Sequence, residues 1–342
     1  MTRILLIYTG GTIGMGRNEL TGALEPLDFN HLLEAMPEMR HIRAQVEVYQ
    51  FNPAIDSSDM DHTQWERLAA IIRDNYDTHD GFVILHGTDT MAYTASALSF
   101  MLQNLTKPVI LTGSQLPMGV LRTDGKENVV TSIELAMACD SQGRPRVPEV
   151  CIYFSGRLLR GNRATKINAD GFVAFDSFNY PHLCDAGVDF RFRDHHILKP
   201  QWDKPIKVHA EMNPHVIVFS LFPGIQPCVV RQILSTPGLR GVVMRTYGSG
   251  NAPQYEWMTQ MLADAVARDV VVVNISQCLS GTVSMDRYDS GFNLKSLGII
   301  SGVDSTVEAA VTKLMHLCAI YSDNPEAIRS HMQRPLAGEY SV

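Results

Sequence analysis

Two short segments carry residue types able to do chemistry: Tyr8-Thr9-Gly10-Gly11-Thr12-Ile13-Gly14-Met15 and His86-Gly87-Thr88-Asp89-Thr90-Met91. Each follows a short apolar run, residues 4–7 and 82–85, and each gives way to glycine and hydroxyl-bearing side chains. In an open α/β sheet this transition falls at the carboxyl ends of strands, where ligands bind. Two such ends with threonines and an aspartate suggest one polar pocket holding two hydroxyls and a carboxylate, which is enough to hydrolyse a bond. A threonine hydroxyl is a weak nucleophile until a base takes its proton, so Thr12 needs a partner. Thr88 and Asp89 supply a hydroxyl and a carboxylate together. Lys166, in Arg160-Gly161-Asn162-Arg163-Ala164-Thr165-Lys166, completes a relay where burial favours its neutral amine. Each residue also has a plain reading. Thr12 is then an incidental hydroxyl at a tight strand exit, Asp89 the N-cap of a helix starting at Thr90, and Lys166 a solvated loop lysine.

A third polar cluster is Asp56-Ser57-Ser58-Asp59-Met60-Asp61. Its three acids invite a divalent metal, but the spacing is not that of an EF-hand loop and no histidine or glutamate completes a ligand set. The hydroxyls and backbone amides of such a turn suit an anion, for example a substrate carboxylate. Other chemistries fall away. The glycines at 10, 11 and 14 do not match G-x-G-x-x-G, and no Gly-Lys-Ser/Thr follows as a P-loop requires. Gly248-Ser249-Gly250 lacks the spacing of a serine nucleophile elbow. The six cysteines form no Cys-x-x-Cys pair, so neither zinc nor a thioredoxin-like role is supported. Neither a cofactor nor a metal is expected.

The elements that must position these residues alternate along the chain. Short buried strands are expected at 4–7, 46–51, 82–85, 109–111 and 150–154, with helices at 65–76, 93–103 and 127–138. Alternation of this kind implies a mostly parallel sheet covered on both faces. Thr63 with Glu66 reads as a capping box for the first helix, and Ser305 with Glu308 for the last. The stretch 16–26, polar and glycine-containing, reads as a mobile loop able to close over a site. Prolines and scattered charges around 181–215 read as a connection between domains. Strands resume at 216–221, 241–245 and 270–275, with helices at 226–234, 254–267 and 306–321. The expected organisation is two α/β domains: a larger N-terminal one (1–185) with a mostly parallel sheet and helices on both faces, a linker (186–213), and a smaller C-terminal one (214–342). A net charge of −7 and the lack of any lysine or arginine cluster argue against a nucleic-acid partner. No apolar run approaches a membrane span, and the first run is too short for a secretory signal. Cysteines set in apolar runs fit a reducing compartment, so the expected location is the cytoplasm.

At this point the ordered motifs carry a resemblance. YTGGTIGM (8–15), DSSDM (56–60), FVILHGTDTM (82–91), LTGSQLP (111–117), RGNRATK (160–166), RTYGSGNAP (245–253) and QCLSG (277–281) together resemble the bacterial-type L-asparaginases, more closely their cytoplasmic type I branch. The resemblance runs almost the full length of the chain. It implies hydrolysis of L-asparagine to L-aspartate and ammonia through a covalent acyl-enzyme, with Thr12 as nucleophile. Thr88, Asp89 and Lys166 would handle proton transfers and the attacking water. Asp56, Ser57 and Ser58 would receive the substrate α-carboxylate, and Asp89 would also pair with its α-ammonium. An oxyanion hole is expected from backbone N–H groups near the glycines. The family fold is two α/β domains, with active sites formed between subunits of a homodimer that often pairs into a homotetramer. Some type I members are activated by asparagine at a second site, and Thr165, Arg245 and Cys278 match positions associated with that effector. One departure stands out. Many members carry a tyrosine in the loop near the nucleophile, whereas the corresponding stretch here reads Gly22-Ala23-Leu24-Glu25-Pro26, with no tyrosine; Tyr288 is one candidate to take its place.

Other functions compete. One extra methylene is worth only about 1–3 kcal/mol in a pocket, so sequence does not separate asparagine from glutamine. The ammonia-releasing subunit of a tRNA-linked amidotransferase resembles the same family but carries a further N-terminal domain, which disfavours it here. A ligand sensor that kept the fold and lost the chemistry is disfavoured by the joint presence of Thr12, Thr88, Asp89 and Lys166.

Overall fold

The computed structural model describes residues 1–17, 24–26, 36–287 and 289–342, and it divides into two compact units, Met1–Ala210 and Glu211–Val342. In the first unit, completely buried apolar runs become the middle of an eight-stranded sheet. Its order is Phe190–Phe192, Cys184–Ala186, Arg157–Arg160, Val150–Phe154, Val109–Thr112, Gly81–Leu85, Thr2–Tyr8 and Ala44–Gln50. The last five of these run parallel. Helix Gly125–Met137 packs on one face, where Ile4, Leu6, Val83, Leu85 and Ile110 meet Val129 and Ile133. The alternate residues Leu5, Ile7, Ile84 and Leu111 are equally buried, as a sheet covered on both faces requires. Each such side chain contributes on the order of 1.5–3 kcal/mol by leaving water.

Register decides where the loops emerge. Tyr8 pairs with Leu85, and Leu85 with Thr112, so three strands end at one level. The segments that follow (Thr9–Thr12, His86–Asp89 and Gly113–Gln115) therefore leave the sheet side by side.

Helix His62–Asn75 buries Trp65, Leu68, Ala69, Ile71 and Ile72 at helical spacing. Its N-cap is Asp61, which accepts from the N–H groups of Thr63 (2.9 Å) and Gln64 (3.3 Å), so the expected capping box at Thr63 gives way to an acid two residues earlier. An aspartate carboxylate at this position offers charge to the helix N-terminus that a threonine hydroxyl lacks. Met15–Arg17 pairs with Leu24–Pro26 as a small antiparallel ribbon, and residues 18–23 of the expected loop lie outside the described residues. Residues 186–210, expected as connection, fall within the first unit. Phe190–Phe192 pairs with Cys184–Ala186, Lys207–Val208 pairs with Leu102–Gln103, and Glu149 accepts from the N–H of Leu198 at 2.8 Å. Glu149 is itself buried and paired with Arg160 at 2.6 Å.

The second unit holds a parallel sheet in the order Val216–Ser220, Gly241–Thr246, Val271–Ser276 and Ile300–Ser301, flanked by helices. Helix Val307–Ile320 is buried along most of its length, and its N-cap is Thr306, which accepts from the Ala309 N–H at 3.1 Å, one residue past the expected Ser305. Inside it, Lys313 is buried and reaches Glu339 at 2.6 Å and the carbonyls of Met332 and Arg334 at 3.0 and 2.7 Å. Burial pulls the Lys313 ammonium below its ordinary range, while Glu339 opposes that shift. Glu339 also accepts from the N–H groups of Leu336 and Ala337, so this pair ties the C-terminal segment down. Among the described residues no helix is long and apolar enough to cross a membrane. Removing one partner of a buried pair leaves the other charge stranded. Glu339→Ala is thus expected to cost about 3–5 kcal/mol in denaturant unfolding, whereas Lys313→Met with Glu339→Leu recovers only part of it, because the backbone groups at 332–337 lose their partners as well; an unchanged midpoint for the single variant would remove the pair from the stability of this unit.

Candidate active site

The first strand leaves the sheet through Gly10 and Gly11, at φ of 138° and 89°, where an L side chain is strained. Space forbids one as well. A Cβ on Gly10 would run into the Ile55 carbonyl, one on Gly11 would lie 2.5 Å from Gly87 Cα, and one on Gly87 would run into the Ser57 hydroxyl. Three polar segments thus touch backbone to backbone. The N–H of Thr9 donates to the Leu85 carbonyl at 3.0 Å, and the N–H of Ile55 to the Thr9 carbonyl at 2.7 Å, which locks them together. Thr12 opens the 3-10 turn Thr12–Gly14 and is half-buried; its hydroxyl makes no hydrogen bond among the described residues.

Lys166, on the short strand Thr165–Lys166, extends to the next strand end. Its Nζ donates to Thr88 Oγ1 at 2.8 Å and to Asp89 Oδ1 at 2.6 Å. Asp89 is not the helix cap: Thr90 holds that position before helix Met91–Met101, without a side-chain cap bond, and the Asp89 carboxylate turns to the lysine. Asp89 is exposed, and its second oxygen has no hydrogen-bond partner among the described residues. The plain reading of Lys166 as a solvated lysine also fails, since its side chain is only 19% exposed.

The turn Ser57–Asp59 is built by Asp56, whose carboxylate accepts from both the N–H and the hydroxyl of Ser58 at 2.9 Å. Those two bonds, the backbone one first, hold the Asp56 carboxyl below its usual range. Ser57 is buried and its carbonyl accepts from the Thr90 hydroxyl at 2.6 Å, while Ser58 is exposed.

Four residues that sequence reasoning passed over complete the frame: Gln115, Asp124, His86 and Thr90. Thr88 donates its proton to Gln115 Oε1 at 3.2 Å, and Asp124 accepts from the N–H groups of Gln115 and Leu116. The only available signal was the place of Gln115 just past a strand end, in the 111–117 motif. His86 is fully buried, and burial holds its imidazole down at about 4, although the Gly87 carbonyl acts the other way. Its tautomer follows from its partners. An indole N–H only donates, so Trp65 gives a proton to Thr94 Oγ1 (3.0 Å), Thr94 gives its own to His86 Nε2 (2.9 Å), and Nδ1–H donates to the Gly87 carbonyl (2.7 Å). In a trans peptide the N–H lies opposite the C=O. With the Gly87 carbonyl held by His86, the Thr88 N–H faces the other way and finds no acceptor among the described residues. The Thr12 N–H likewise has none, so two donors remain for a developing oxyanion.

The expected effector residues divide between the units. Thr165 lies in the first, beside Lys166. In the second, Arg245 is on the strand Gly241–Thr246, with Nε buried and without acceptor among the described residues. Exposed Cys278 follows the adjoining strand and donates its N–H to Ser276 Oγ at 2.9 Å. Tyr288 lies outside the described residues. No group of three or more His, Cys, Asp or Glu residues among those described could hold a metal ion.

Hydroxyls and a carboxylate at the ends of parallel strands, with a lysine reaching them from a separate two-stranded sheet, suit a hydrolase, and comparison with known proteins sets which kind. The asparaginase N-terminal model matches residues 3–198, and the glutaminase/asparaginase C-terminal model residues 215–332. L-asparaginase 1 of Escherichia coli K12 is 44% identical over 98% of this chain and 97% of its own. The mouse 60 kDa lysophospholipase is 41% identical over 92% of this chain and 58% of its own. The crystal structure of L-asparaginase I from Vibrio cholerae superposes with a TM-score of 0.89 at 40% identity, covering 100% of this chain and 99% of that one. The chain belongs to the asparaginase family, and it is a hydrolase acting on amides.

His86 generates a pH prediction. The unfolded imidazole takes up a proton below its ordinary 6.5 while the folded one stays neutral to about 4. Its contribution is therefore complete above pH 6.5 and lost as pH falls toward 4, on the order of 3 kcal/mol. Unfolding free energies measured across that window are expected to show this slope, and His86→Gln to flatten it; an identical slope in the variant would exclude His86 as its source.

Proposed function

We propose that the protein is an L-asparagine amidohydrolase, releasing L-aspartate and ammonia through an ester on Thr12. One observation carries the reading: Lys166 Nζ bonds both Thr88 Oγ1 and Asp89 Oδ1, on the strand end that touches the Gly10–Thr12 exit. In this reading Thr12 Oγ attacks the side-chain amide carbon, the oxygen charge develops against the N–H groups of Thr12 and Thr88, which have no acceptor among the described residues, and ammonia leaves. Water then adds to the ester, with Thr88 and Lys166 handling its proton. The unused oxygen of Asp89 takes the substrate α-ammonium. The turn of Asp56, Ser57 and Ser58 takes its α-carboxylate, the exposed Ser58 hydroxyl turning its proton from Asp56 to the substrate. Support comes from this geometry and from the similarity to E. coli L-asparaginase 1.

The proposal extends to what the family resemblance implies: a cytoplasmic homodimer or homotetramer with sites between subunits, and activation by asparagine through Thr165, Arg245 and Cys278. Tyr288 is the proposed activator of Thr12.

Ammonia release from asparagine and glutamine over a concentration series tests the activity. Native protein is expected to turn over asparagine, and Thr12→Ala to lose at least 1,000-fold, the scale on which removing a nucleophile acts. An aspartyl ester found on Thr12 by intact mass supports the covalent route; full activity in Thr12→Ala would end it. Tyr288→Phe is expected to slow ester formation about 100-fold, within the usual range for a lost proton-transfer group; native turnover in that variant would remove Tyr288. Sigmoidal rates with two calorimetric asparagine sites support the effector role, whereas hyperbolic rates with one site would exclude it.

A further inference from the structure

Gln115 sits where two parts of the site meet. Its Nε2 donates to the carbonyls of Ala169 (3.1 Å) and Gly171 (3.0 Å), and both amide protons are thereby used. Carbonyl oxygens only accept, so the amide has one allowed orientation, with Oε1 facing Thr88. Its backbone N–H is held in turn by both oxygens of Asp124, at 3.1 and 3.0 Å. On the other side, the Asn168 carboxamide oxygen accepts from the N–H groups of Asp170 and Gly171, shaping the turn that presents those two carbonyls just past Lys166.

The consequence falls on Thr88. A hydroxyl has one proton and two lone pairs. Oε1 of Gln115 takes the proton, and Lys166 Nζ takes one lone pair at 2.8 Å. What remains is a single lone pair, so Thr88 can accept from a water but cannot donate to it. Without Gln115 the hydroxyl could turn its proton into the pocket and present the wrong polarity to a nucleophilic water.

We propose that Gln115 is a positioning residue that fixes the direction of the Thr88 hydrogen bond, making Thr88 an acceptor for the water that cleaves the ester. The proposal rests on the ester route through Thr12 and Thr88 argued above. Water attack then balances with Thr88 as a hydrogen-bond acceptor alone: the water, oriented by one O–H toward Thr88 Oγ1, bonds the acyl carbon through its oxygen, one of its two protons passes to Thr12 Oγ as the C–O bond breaks, and the other is released to solvent as the product carboxylate forms.

Two variants test this in the full-length protein. Gln115→Met keeps the volume and removes both functions of the amide, and Gln115→Glu, when ionised, sets an acceptor against the Ala169 and Gly171 carbonyls and is pushed out of line with Thr88, a clash that protonation of its carboxyl relieves. For Gln115→Met the expected results are a kcat at least tenfold lower, a KM for asparagine within twofold or lower, and a stalled aspartyl ester on Thr12 that intact mass detects at steady state. For Gln115→Glu the activity relative to native protein is expected to rise as pH falls from 7 to 5. A residue that merely supports the fold would lower the melting temperature without accumulating ester or producing that pH-dependent ratio. Native kcat in Gln115→Met, or a loss with no ester and a flat pH ratio in Gln115→Glu, overturns the proposal. The native protein and Thr12→Ala run alongside keep the two readings apart. If native protein releases no ammonia from asparagine, the activity itself fails; if it does and the Gln115 variants behave as native, only the role of Gln115 fails.

Discussion

Close approach between two strand exits governs the rest of this structure. Gly11 and Gly87 touch through bare backbone, with Gly10 against Ile55 and Gly87 against Ser57. A methyl group at any of these positions would drive apart the segments bearing Thr12, Thr88 and Ser57. The parallel register that matches Tyr8 to Leu85 brings the exits to one level, but only the missing Cβ atoms let them close. Next to this contact, the N–H groups of Thr12 and Thr88 have no acceptors among the described residues. An unpaired buried donor costs about 1–3 kcal/mol. Such a cost is tolerable at the rim of an opening, where water or a ligand oxygen can meet it, and this is where polar groups left spare by a fold become useful.

How much of this was legible depends on which physical signal each part leaves in the chain. Buried strands such as Val109–Thr112 and Val150–Phe154 leave uninterrupted apolar runs, and amphipathic helices such as His62–Asn75 leave a 3.6-residue repeat, so both were read to within a few residues. Caps were missed by one or two residues, because Asp61 and Thr306 compete with neighbouring hydroxyl side chains that also favour N-cap positions. Only the hydrogen bond actually formed separates them. Of the site, Thr88, Asp89 and Lys166 are united by geometry that the residue types suggested, while the assignment of roles came from the resemblance. Gln115 stayed hidden because an amide side chain has no periodicity and no single habitual role.

The stretch read as a bare connection shows a second limit. Residues 186–210 have no repeat because they are bound one contact at a time. Buried Glu149 spans the gap, pairing with Arg160 while accepting from the Leu198 N–H, and Arg160 donates to the His196 carbonyl at 2.6 Å. The second unit repeats the device: Lys313 and Glu339 sit at its centre, and their remaining hydrogen-bonding capacity is spent on backbone between 332 and 337. A buried ion pair adds little net stability where it only replaces an apolar contact. Here each pair also satisfies the backbone of irregular chain that no helix or sheet could satisfy, which gives buried charge a structural purpose.

Both networks around the site derive their direction from groups that cannot reverse. The chain from Trp65 through Thr94 and His86 to the Gly87 carbonyl starts at an indole N–H that only donates and ends at a carbonyl that only accepts. The chain from Lys166 through Thr88 and Gln115 to the carbonyls of Ala169 and Gly171 has the same form, with an ammonium at its head. Hydroxyls and imidazoles in the middle are ambivalent by themselves; fixed ends remove that freedom. One chain sets the plane of the peptide before Thr88, and with it the direction of the Thr88 N–H. The other sets where the Thr88 hydroxyl proton points. A single residue thus presents a donor from its backbone and a lone pair from its side chain, each oriented before any ligand arrives. Preorganisation of this kind spares the reaction the cost of turning dipoles as charge develops.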